Sequence, residues 1–417
     1  MDTGKLKILV AAYACEPGKG SEPEVGWQWA RQIARFHDTW VITRASNRPL
    51  IEEGLKSDPN PNLHFVYVDL PPWARFWKRG NRGVHLYYQI WQIIAGFEGR
   101  KLNQTVGFDI VQHVTFVNDW IGSGASLVPV PLVWGPIGSH PFVPRRYRDF
   151  TGLRGYISGV PRLLLRISAR YRDPLYRRCA FKSKRILVAN RECITRLPEP
   201  ARSKAQIWAQ NAAASQDLSI PRKHRLPLKI VSAGRLAGFK GFRLALRAFA
   251  AHLKTFPEST LTLLGEGKQR HELERLCDDL GIRRNVTFAG QVPRDTVLAS
   301  MAAGHLFLFP SFEGAGMVVI EAMAKGLPVV CLDFGGPGEY VTEACGIKVP
   351  LTEPETVIQG LADALSRLAS EPELYERLSA GAVERVRGHY LWDRVGDRLD
   401  SLYREIIAET GEEKSRA

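Results

Sequence analysis

Two carboxylates, Glu313 and Glu321, flank a glycine turn in the segment HLFLFPSFEGAGMVVIEAMAKGLPVVCLD, residues 305–333. The apolar run before the turn predicts a strand at 306–309, and the helical spacing after it predicts a helix at 317–325. Because open α/β sheets bind ligands at the carboxyl ends of their strands, we expect both carboxylates to line one pocket there. The alternative is that one carboxylate is a turn residue and the other a solvated helix residue.

Backbone groups of the same turn add a possible anion-binding element. Gly314 and Gly316 open the turn, and the N–H groups of Gly316 and Met317 are expected to face the pocket at the start of the helix. A helix N-terminus suits phosphate, whereas a nearby carboxylate suits sugar hydroxyls. Together these groups suggest a nucleotide sugar as the ligand.

The chain is too long for one ordinary hydrophobic core. Its 417 residues favour two domains of roughly 200 residues each. Apolar residues make up 45% of the sequence and charged residues 24%, which is typical of a soluble globular protein. Disorder is expected only in the tail, residues 409–417.

Six cysteines are scattered along the chain without a C-x-x-C pair, and no histidine cluster has the spacing of metal ligands. This usage favours a reducing cytoplasm. The N-terminal apolar run, residues 8–12, is shorter than a signal peptide requires, and there is no run of about 18 apolar residues. We therefore predict a cytoplasmic protein that is neither exported nor membrane-spanning.

The net charge of +14 is concentrated in one segment. Residues 145–185 hold 13 Arg or Lys against two Asp, which points to an anionic partner. A second segment, residues 71–91, mixes aromatic and cationic side chains. Both inserts fit an anionic membrane surface, with the protein peripheral at the inner face of the membrane. Core packing with a solvated basic face is the alternative. Nucleic acid is not expected, because no DNA- or RNA-binding motif accompanies the charge.

Strands and helices alternate in the first half, which predicts a mostly parallel sheet built from βαβ units. The predicted strands are 6–12, 40–43, 65–68, 109–113 and 131–134, and a helix at 24–36 follows the first of them. The glycine loop YACEPGKGSEPE lies between that strand and helix. It could approach a phosphate or a sugar closely, or it could be a plain tight turn.

A polar stretch interrupted by prolines, residues 211–227, is the predicted linker between two domains, 1–210 and 228–390. The alternating pattern restarts after it, with predicted strands at 228–233, 260–264, 286–289 and 347–349 and predicted helices at 241–255, 268–280, 355–369 and 392–408. The predicted fold class is α/β with two doubly wound domains.

Four segments of the second half, taken in order, resemble the retaining glycosyltransferases of family 4. They are SAGRLAGFKG (232–241), LLGEG (263–267), FAGQVPRDTV (288–297) and PSFEGAGMVVIEAMAKGLPVV (310–330). The spacing from Glu313 to Glu321 is that family's E-x7-E motif. The resemblance implies the GT-B fold, in which two facing Rossmann-like domains enclose a cleft. It also implies that the C-terminal helix, about 391–408, packs back on the first, acceptor-binding domain.

The resemblance assigns the donor site residue by residue. Arg235 and Lys240 match the pair that clamps the donor pyrophosphate, where they would meet the negative charge of the leaving group; surface solvation is the alternative for both. Glu321 matches the carboxylate that holds the ribose hydroxyls, and Glu313 matches the residue that contacts the transferred sugar. The other implied donor-binding positions are Gln291 and Val292 near the nucleobase and the turn residues Gly314, Ala315, Gly316 and Met317.

The first half matches the family less closely. PGKGSEPEVGWQWA resembles its glycine loop and first helix, which implies a donor contact at Gly20, and DIVQHVTFVNDW resembles the segment with a catalytic-region histidine. His113 is therefore expected near the anomeric carbon, and a buried core histidine is the alternative. A loop from Gly135 to Gly138 is expected on the acceptor side. Ala315 stands where the family commonly has a bulky aromatic, which bears on the shape of the sugar pocket.

The resemblance implies a hexosyltransferase that moves a sugar from a nucleoside diphosphate to a hydroxyl acceptor with retained configuration. The expected catalytic residues are His113, Glu313, Arg235 and Lys240. No Asp-x-Asp pair occurs, so neither a divalent metal nor another cofactor is expected, and the two cations and a helix dipole would supply the positive charge. The basic and aromatic inserts favour a lipid-linked saccharide as the acceptor, in cell-surface or exopolysaccharide assembly.

The same fold leaves other functions open. A nucleotide-sugar epimerase would release free nucleotide sugar without an acceptor, and a glycogen-type phosphorylase should carry a pyridoxal-binding lysine in a larger chain. A glycosyltransferase with a soluble acceptor would need no membrane. A non-catalytic binding protein is disfavoured, because all four of the donor-site residues Arg235, Lys240, Glu313 and Glu321 are present.

Overall fold

A computed structural model describes residues 4–74, 83–116, 118–138, 143–151, 164, 167–168 and 170–416. The chain divides into two compact units: the first contains residues 1–139, 163–210 and 392–417, and the second contains residues 140–162 and 211–391. The sequence prediction differs from this division at two places. It put residues 140–162 in the first domain and treated residues 211–227 as a linker, whereas both belong to the second unit.

The first unit is organised around a seven-stranded parallel sheet. Its strands are β1 Lys7–Ala12, β2 Asp38–Arg44, β3 Leu63–Val68, β4 Ile110–Thr115, β5 Leu132–Ile137, β6 Ser183–Val188 and β7 Ala205–Ile207. They are arranged in the order β3-β2-β1-β4-β5-β6-β7. Every residue of β4 and β5 is buried, as expected for central parallel strands covered on both faces. The order reverses between β1 and β4, so the loops after these strands leave the sheet side by side.

Helices cover this first sheet. They are Ser21–Ala34, Arg48–Ser57, Val84–Val106, Pro174–Lys182, Arg191–Arg196, Glu199–Arg202 and Trp392–Arg416. None of the helices in the described parts of the chain is long and apolar enough to cross a membrane.

The helix Val84–Val106 corrects the interpretation of the aromatic insert 71–91. Tyr87, Tyr88 and Trp91 are buried in the core of the first unit, at 0% to 2% exposure, instead of facing a membrane. Their positions one and three residues apart put them on one face of a helix, and that face packs on the sheet. The cations of the insert between residues 75 and 82 lie outside the described residues.

The C-terminal helix Trp392–Arg416 belongs to the first unit. The buried Tyr403 hydroxyl donates a hydrogen bond to Gln112 Oε1 on β4. Near the end of the helix, Arg185 Nη2 on β6 lies 2.5 Å from Glu409 Oε1. The expected disorder of residues 409–417 is therefore wrong as far as Arg416, because ion pairs to the sheet hold this last part of the helix.

The second unit contains a six-stranded parallel sheet. Its strands are β8 Lys229–Ala233, β9 Thr260–Leu264, β10 Val286–Gly290, β11 Leu306–Phe309, β12 Val329–Leu332 and β13 Gly346–Val349. They are arranged in the order β10-β9-β8-β11-β12-β13. Both sheets are parallel and doubly wound, which confirms the predicted α/β fold class.

The helices of the second unit bury apolar faces against this sheet. They are Arg148–Thr151, Phe242–Leu253, Arg270–Asp279, Arg294–Ala303, Met317–Ala324, Gly335–Tyr340, Pro354–Ser370 and Pro372–His389. The helices that begin at Phe242 and Pro354 pack beside each other, and their buried side chains, such as Leu244, Phe249 and Leu361, join the same core. This packing leaves the carboxyl ends of β8 and β11 to carry the loops described next.

Candidate functional site

Strands β8 and β11 are neighbours in the second sheet although they are not consecutive along the chain. From this pair the strand order runs outward to β10 on one side and to β13 on the other, so the carboxyl ends of β8 and β11 form a topological switch point. Arg235 and Lys240 follow β8, and Glu313 follows β11. The structure therefore places three predicted site residues in the two loops that leave this point.

These two loops are in direct contact. The backbone N–H of Phe312 donates to the carbonyl oxygen of Phe239 at 2.8 Å. Gly241 has a φ of 71°, and a Cβ at this position would collide with the carbonyl oxygen of Pro310. Glycine alone allows both this backbone conformation and this close approach. The contact fixes Lys240, the preceding residue, beside the loop after β11.

Lys240 and Glu313 form an ion pair in which Lys240 Nζ lies 2.6 Å from Glu313 Oε1. Their side chains are 11% and 15% exposed. The ammonium group also lies 5.1 Å from the centre of the Phe309 ring, within the range of a cation–π contact. Because two charges removed from water each need a partner, an anionic ligand that binds Lys240 competes with the Glu313 carboxylate for the ammonium group.

Arg235 lies outside this ion pair. Its side chain is exposed, and the guanidinium carbon is 5.7 Å from the centre of the Phe239 ring. An exposed guanidinium at the end of β8 is accessible to a phosphate that binds at the switch point. The sequence predicted that Arg235 and Lys240 bind the pyrophosphate together. In the structure both lie in the same loop, but only Lys240 forms an ion pair with Glu313.

The glycine turn after β11 ends at a helix N-terminus. Gly316 has φ 61° and ψ 45° and immediately precedes the helix Met317–Ala324. A Cβ at Gly316 would lie 2.7 Å from Pro337 Cγ, so the segment that follows β12 packs directly on the turn. The first N–H groups of any helix have no acceptor within it. The predicted donor-binding residues Gly314, Ala315, Gly316 and Met317 therefore lie at the positive end of this helix dipole.

Glu321 lies one turn further along this helix and is 18% exposed. It accepts hydrogen bonds on Oε1 from Arg294 Nε at 3.1 Å and Arg294 Nη2 at 2.9 Å. Arg294 begins the helix that follows β10. It lies two residues after Val292, which is half-buried, and three after Gln291, which is exposed; these two residues are the predicted nucleobase contacts. Sequence analysis missed Arg294, although the quoted segment FAGQVPRDTV contains it, because only the packing of two helices brings it to Glu321.

His113 lies on β4 of the first unit and is 2% exposed. Its Nδ1 atom is buried and has no hydrogen-bond partner within the part of the chain that the structure describes. Burial lowers the pKa of His113 to about 4, and a hydrogen bond to the backbone of Phe116 partly opposes this effect. The imidazole is therefore neutral near pH 7, so it can accept or donate a hydrogen bond but carries no charge.

The predicted glycines of the first unit have different environments. Gly20, with a φ of 66°, immediately precedes the helix Ser21–Ala34, and a Cβ there would meet no atom within 4 Å. Gly135 was expected in a loop, but it lies within β5, where a Cβ would collide with the carbonyl oxygen of Leu187 on β6. The strand needs glycine at that position to pair closely. Gly138, which is buried, is the first residue after the strand.

Comparison with protein families agrees with this arrangement in the second unit. Residues 218–385 match the family described as "Glycosyl transferases group 1". The matched segment contains Arg235, Lys240, Glu313 and Glu321, the four residues on which the predicted donor site depends. This part of the chain is therefore similar to glycosyl transferases group 1, as the resemblance implied.

One curated relative and two solved structures illustrate the similarity. The chain is 31% identical over 180 residues to an alpha-D-kanosaminyltransferase of Streptomyces kanamyceticus. The aligned segment covers 42% of this chain and 45% of that protein. The chain thus spans about half the length of the curated relatives it matches.

The two solved structures show the fold. WaaG, a glycosyltransferase involved in lipopolysaccharide biosynthesis, matches with a TM-score of 0.58 and 18% identity over 95% of this chain and 99% of that chain. Anabaena HepE in complex with UDP matches with a TM-score of 0.59 and 16% identity over 96% of this chain and 100% of that chain. These likenesses confirm the predicted GT-B fold class.

Proposed function

From the match of residues 218–385 to glycosyl transferases group 1, we propose that this chain transfers a sugar from a nucleoside diphosphate sugar to a hydroxyl acceptor. The observation that carries the proposal is the Lys240–Glu313 ion pair at the switch point of the second sheet. A diphosphate needs positive charge and a sugar needs hydrogen-bond acceptors for its hydroxyls. This pair offers both within one loop contact.

The donor occupies the site by exchanging partners with this pair. The diphosphate binds Lys240 and Arg235 and lies against the helix N-terminus at Met317. The hydroxyls of the transferred sugar donate hydrogen bonds to the Glu313 carboxylate, and those of the ribose donate to Glu321. The nucleobase lies by Gln291 and Val292. The UDP complex of HepE, which has the same fold, supports a nucleoside diphosphate as the common part of the donor.

The chemical step in this proposal keeps the anomeric configuration. The bond between the anomeric carbon and the diphosphate oxygen breaks, and a bond to the acceptor oxygen forms on the same face of the sugar. The proton of the acceptor hydroxyl passes to a phosphate oxygen of the leaving diphosphate. Lys240 and Arg235 stabilise the negative charge that grows on this leaving group, together with the helix dipole, so the transfer requires no metal.

Residues of the first unit complete the proposal. His113 is a proposed catalytic residue that orients the sugar near the anomeric carbon. Its lowered pKa assigns it the role of a neutral hydrogen-bonding group instead of a cation. Gly20 is proposed to approach the donor, and the chain after β5, beginning at Gly138, is proposed to face the acceptor.

A lipid-linked saccharide at the inner face of the membrane is the proposed acceptor, in polysaccharide assembly. The helix Val84–Val106 supports it: Leu86, Ile93 and Phe97 are 54%, 43% and 61% exposed, and their spacing puts them on one face. Arg100 and Lys101 are exposed on the continuation of that face. Apolar side chains beside cations are the composition of helices that lie in a membrane interface.

A donor screen with product analysis tests the proposed function. The protein is incubated with UDP-, GDP- and ADP-hexoses, with and without a lipid extract, and the products are examined by NMR. We expect release of one nucleoside diphosphate that depends on an acceptor, and a product with the anomeric configuration of the donor. Free isomerised nucleotide sugar without an acceptor would instead identify an epimerase. Release from none of the donors would contradict the proposal.

A further inference from the structure

The candidate site contains a second ion pair, between Arg294 and Glu321, and no motif in the sequence assigns a role to this arginine. We propose that Arg294 is a positioning residue that turns the Glu321 carboxylate toward the ribose hydroxyls of the donor. This inference rests on the proposed function, in which Glu321 binds the ribose.

In this ion pair Arg294 contacts only one of the two carboxylate oxygens of Glu321. Arg294 Nε and Nη2 lie 3.1 Å and 2.9 Å from the same atom, Glu321 Oε1. Oε2 has no hydrogen-bond partner among the residues that the structure describes. Because an ionised carboxylate oxygen accepts about two hydrogen bonds, Oε2 is left to accept from a ribose diol.

A second carboxylate lies near the guanidinium of Arg294. Asp217 Oδ2 is 3.9 Å from Nη2, the nitrogen that also donates to Glu321 Oε1. Asp217 in turn accepts hydrogen bonds from Lys325 Nζ, at 2.8 Å on its backbone oxygen and 3.3 Å on Oδ1. Because Nε and Nη2 of the planar guanidinium both donate to Glu321 Oε1, Arg294 restricts the rotation of the Glu321 side chain, which reduces the entropy lost when a ribose binds.

The charge of Arg294 has a second effect. An unpaired carboxylate at Glu321 would repel the diphosphate that binds at the start of the same helix, Met317–Ala324. The guanidinium cancels that charge and leaves the acceptor oxygens in place. Since the Arg294 side chain is 57% exposed, the pair contributes little to folding stability, and variants of Arg294 are expected to fold.

Calorimetry with a ribose-deficient ligand tests this role. The best-binding nucleoside diphosphate among UDP, GDP and ADP is compared with its 2′,3′-dideoxy form, on wild type, Arg294→Ala, Arg294→Lys and the control Arg284→Ala. Arg284 is an exposed arginine in the same unit. Thermal unfolding of each variant confirms that it is folded.

We expect wild type and Arg284→Ala to prefer the ribose form by roughly tenfold, the strength of a hydrogen bond to a charged group. Arg294→Ala should weaken both ligands, because the charge of Glu321 is no longer cancelled, and should weaken the ribose form further, so that most of the preference is lost. Arg294→Lys should recover part of it. Equal weakening of both ligands, or no change in the preference, would overturn the role of Arg294. Failure of wild type to bind any of the three diphosphates would overturn the proposed function and this inference with it.

Discussion

Lys240 and Glu313 neutralise each other inside the candidate site, with 2.6 Å between Nζ and Oε1 and no more than 15% of either side chain exposed. They come from two loops that follow neighbouring strands, and the contact between Gly241 and Pro310 keeps these loops together. The site therefore already contains the cation and the carboxylate that a sugar diphosphate requires, each occupied by the other. A ligand that binds there must compete with this internal pair.

This competition predicts opposite effects of Glu313→Gln on binding and on turnover. In Glu313→Gln the carboxylate no longer pairs with Lys240. The affinity of this variant for a nucleoside diphosphate that carries no sugar should therefore rise by about threefold, which corresponds to a modest ion pair. Transfer should fall by roughly tenfold or more, equivalent to about 1.4 kcal/mol of transition-state stabilisation. Calorimetry and a transfer assay measure the two effects. The exposed Glu343→Gln is the control, and unchanged turnover in Glu313→Gln would refute the assigned contact with the sugar.

Gly241→Ala is predicted to damage both stability and activity. Gly241 and Gly281 have φ values of 71° and 69°, but only a Cβ at Gly241 would strike another residue, the carbonyl of Pro310. Gly281→Ala should cost only the left-handed backbone penalty, about 1–2 kcal/mol of unfolding free energy. Gly241→Ala should cost more and should also reduce transfer, because the two loops must separate and Lys240 moves with them. Denaturant unfolding of both variants tests this; equal losses would show that the loop contact is unimportant.

The buried His113 predicts a pH-dependent stability. Its pKa is about 4 in the folded protein against an ordinary value of 6.5, so between these pH values the unfolded chain binds a proton that the folded chain does not. The unfolding free energy should therefore fall as the pH drops from 6.5 to 4, by about 3 kcal/mol for this residue. His37 and His252, whose pKa burial also lowers to about 4, add to the slope.

Replacement of His113 measures how much this residue contributes to the pH dependence of the unfolding free energy. Urea unfolding at a series of pH values should show a shallower dependence for His113→Gln than for wild type. His271→Gln, at a side chain that is 92% exposed, should leave the dependence unchanged. An identical slope in His113→Gln would mean that folding does not lower the pKa of this imidazole.

Membrane binding is predicted to depend on the exposed face of the helix Val84–Val106. Liposome flotation should recover the wild type with anionic vesicles and much less of it with neutral ones. Replacing Leu86, Ile93 and Phe97 together by Ser should abolish recovery, because the apolar contact with the interface is lost. The control replaces Ile220 and Leu226, which are 81% and 54% exposed in the second unit, and it should still float. Indifference of the wild type to lipid charge would remove the support for a membrane acceptor.

The elements of the fold that could be predicted from the sequence are those that depend on a local periodicity or motif. The strand Leu306–Phe309 and the start of the helix at Met317 lie where the apolar run and the turn predict them. The meeting of Lys240 with Glu313 follows from topology, because loops after neighbouring parallel strands leave one edge of the sheet. Such features depend on residues that are close along the chain or on a rule that holds for every doubly wound sheet.

Features that depend on tertiary packing could not be predicted in the same way. Composition grouped Tyr87, Tyr88 and Trp91 with cations as a surface segment, and only their helical spacing against a sheet reveals that they are core residues. Gly135 looked like a loop residue, but the close approach of β6 extends the strand through it. Arg294 reaches Glu321 because two helices that follow different strands pack side by side.

Binding of a diphosphate by Lys240 is the central feature of the proposed donor site. Isothermal titration of UDP, GDP and ADP into wild type, Lys240→Ala and the exposed control Lys254→Ala measures this. We predict that one nucleoside diphosphate binds to wild type and to Lys254→Ala with similar affinity, and that Lys240→Ala weakens it by roughly tenfold or more, as expected when a charge-assisted contact is lost. Equal affinity in Lys240→Ala and wild type would contradict the central claim that this ion pair marks the donor site.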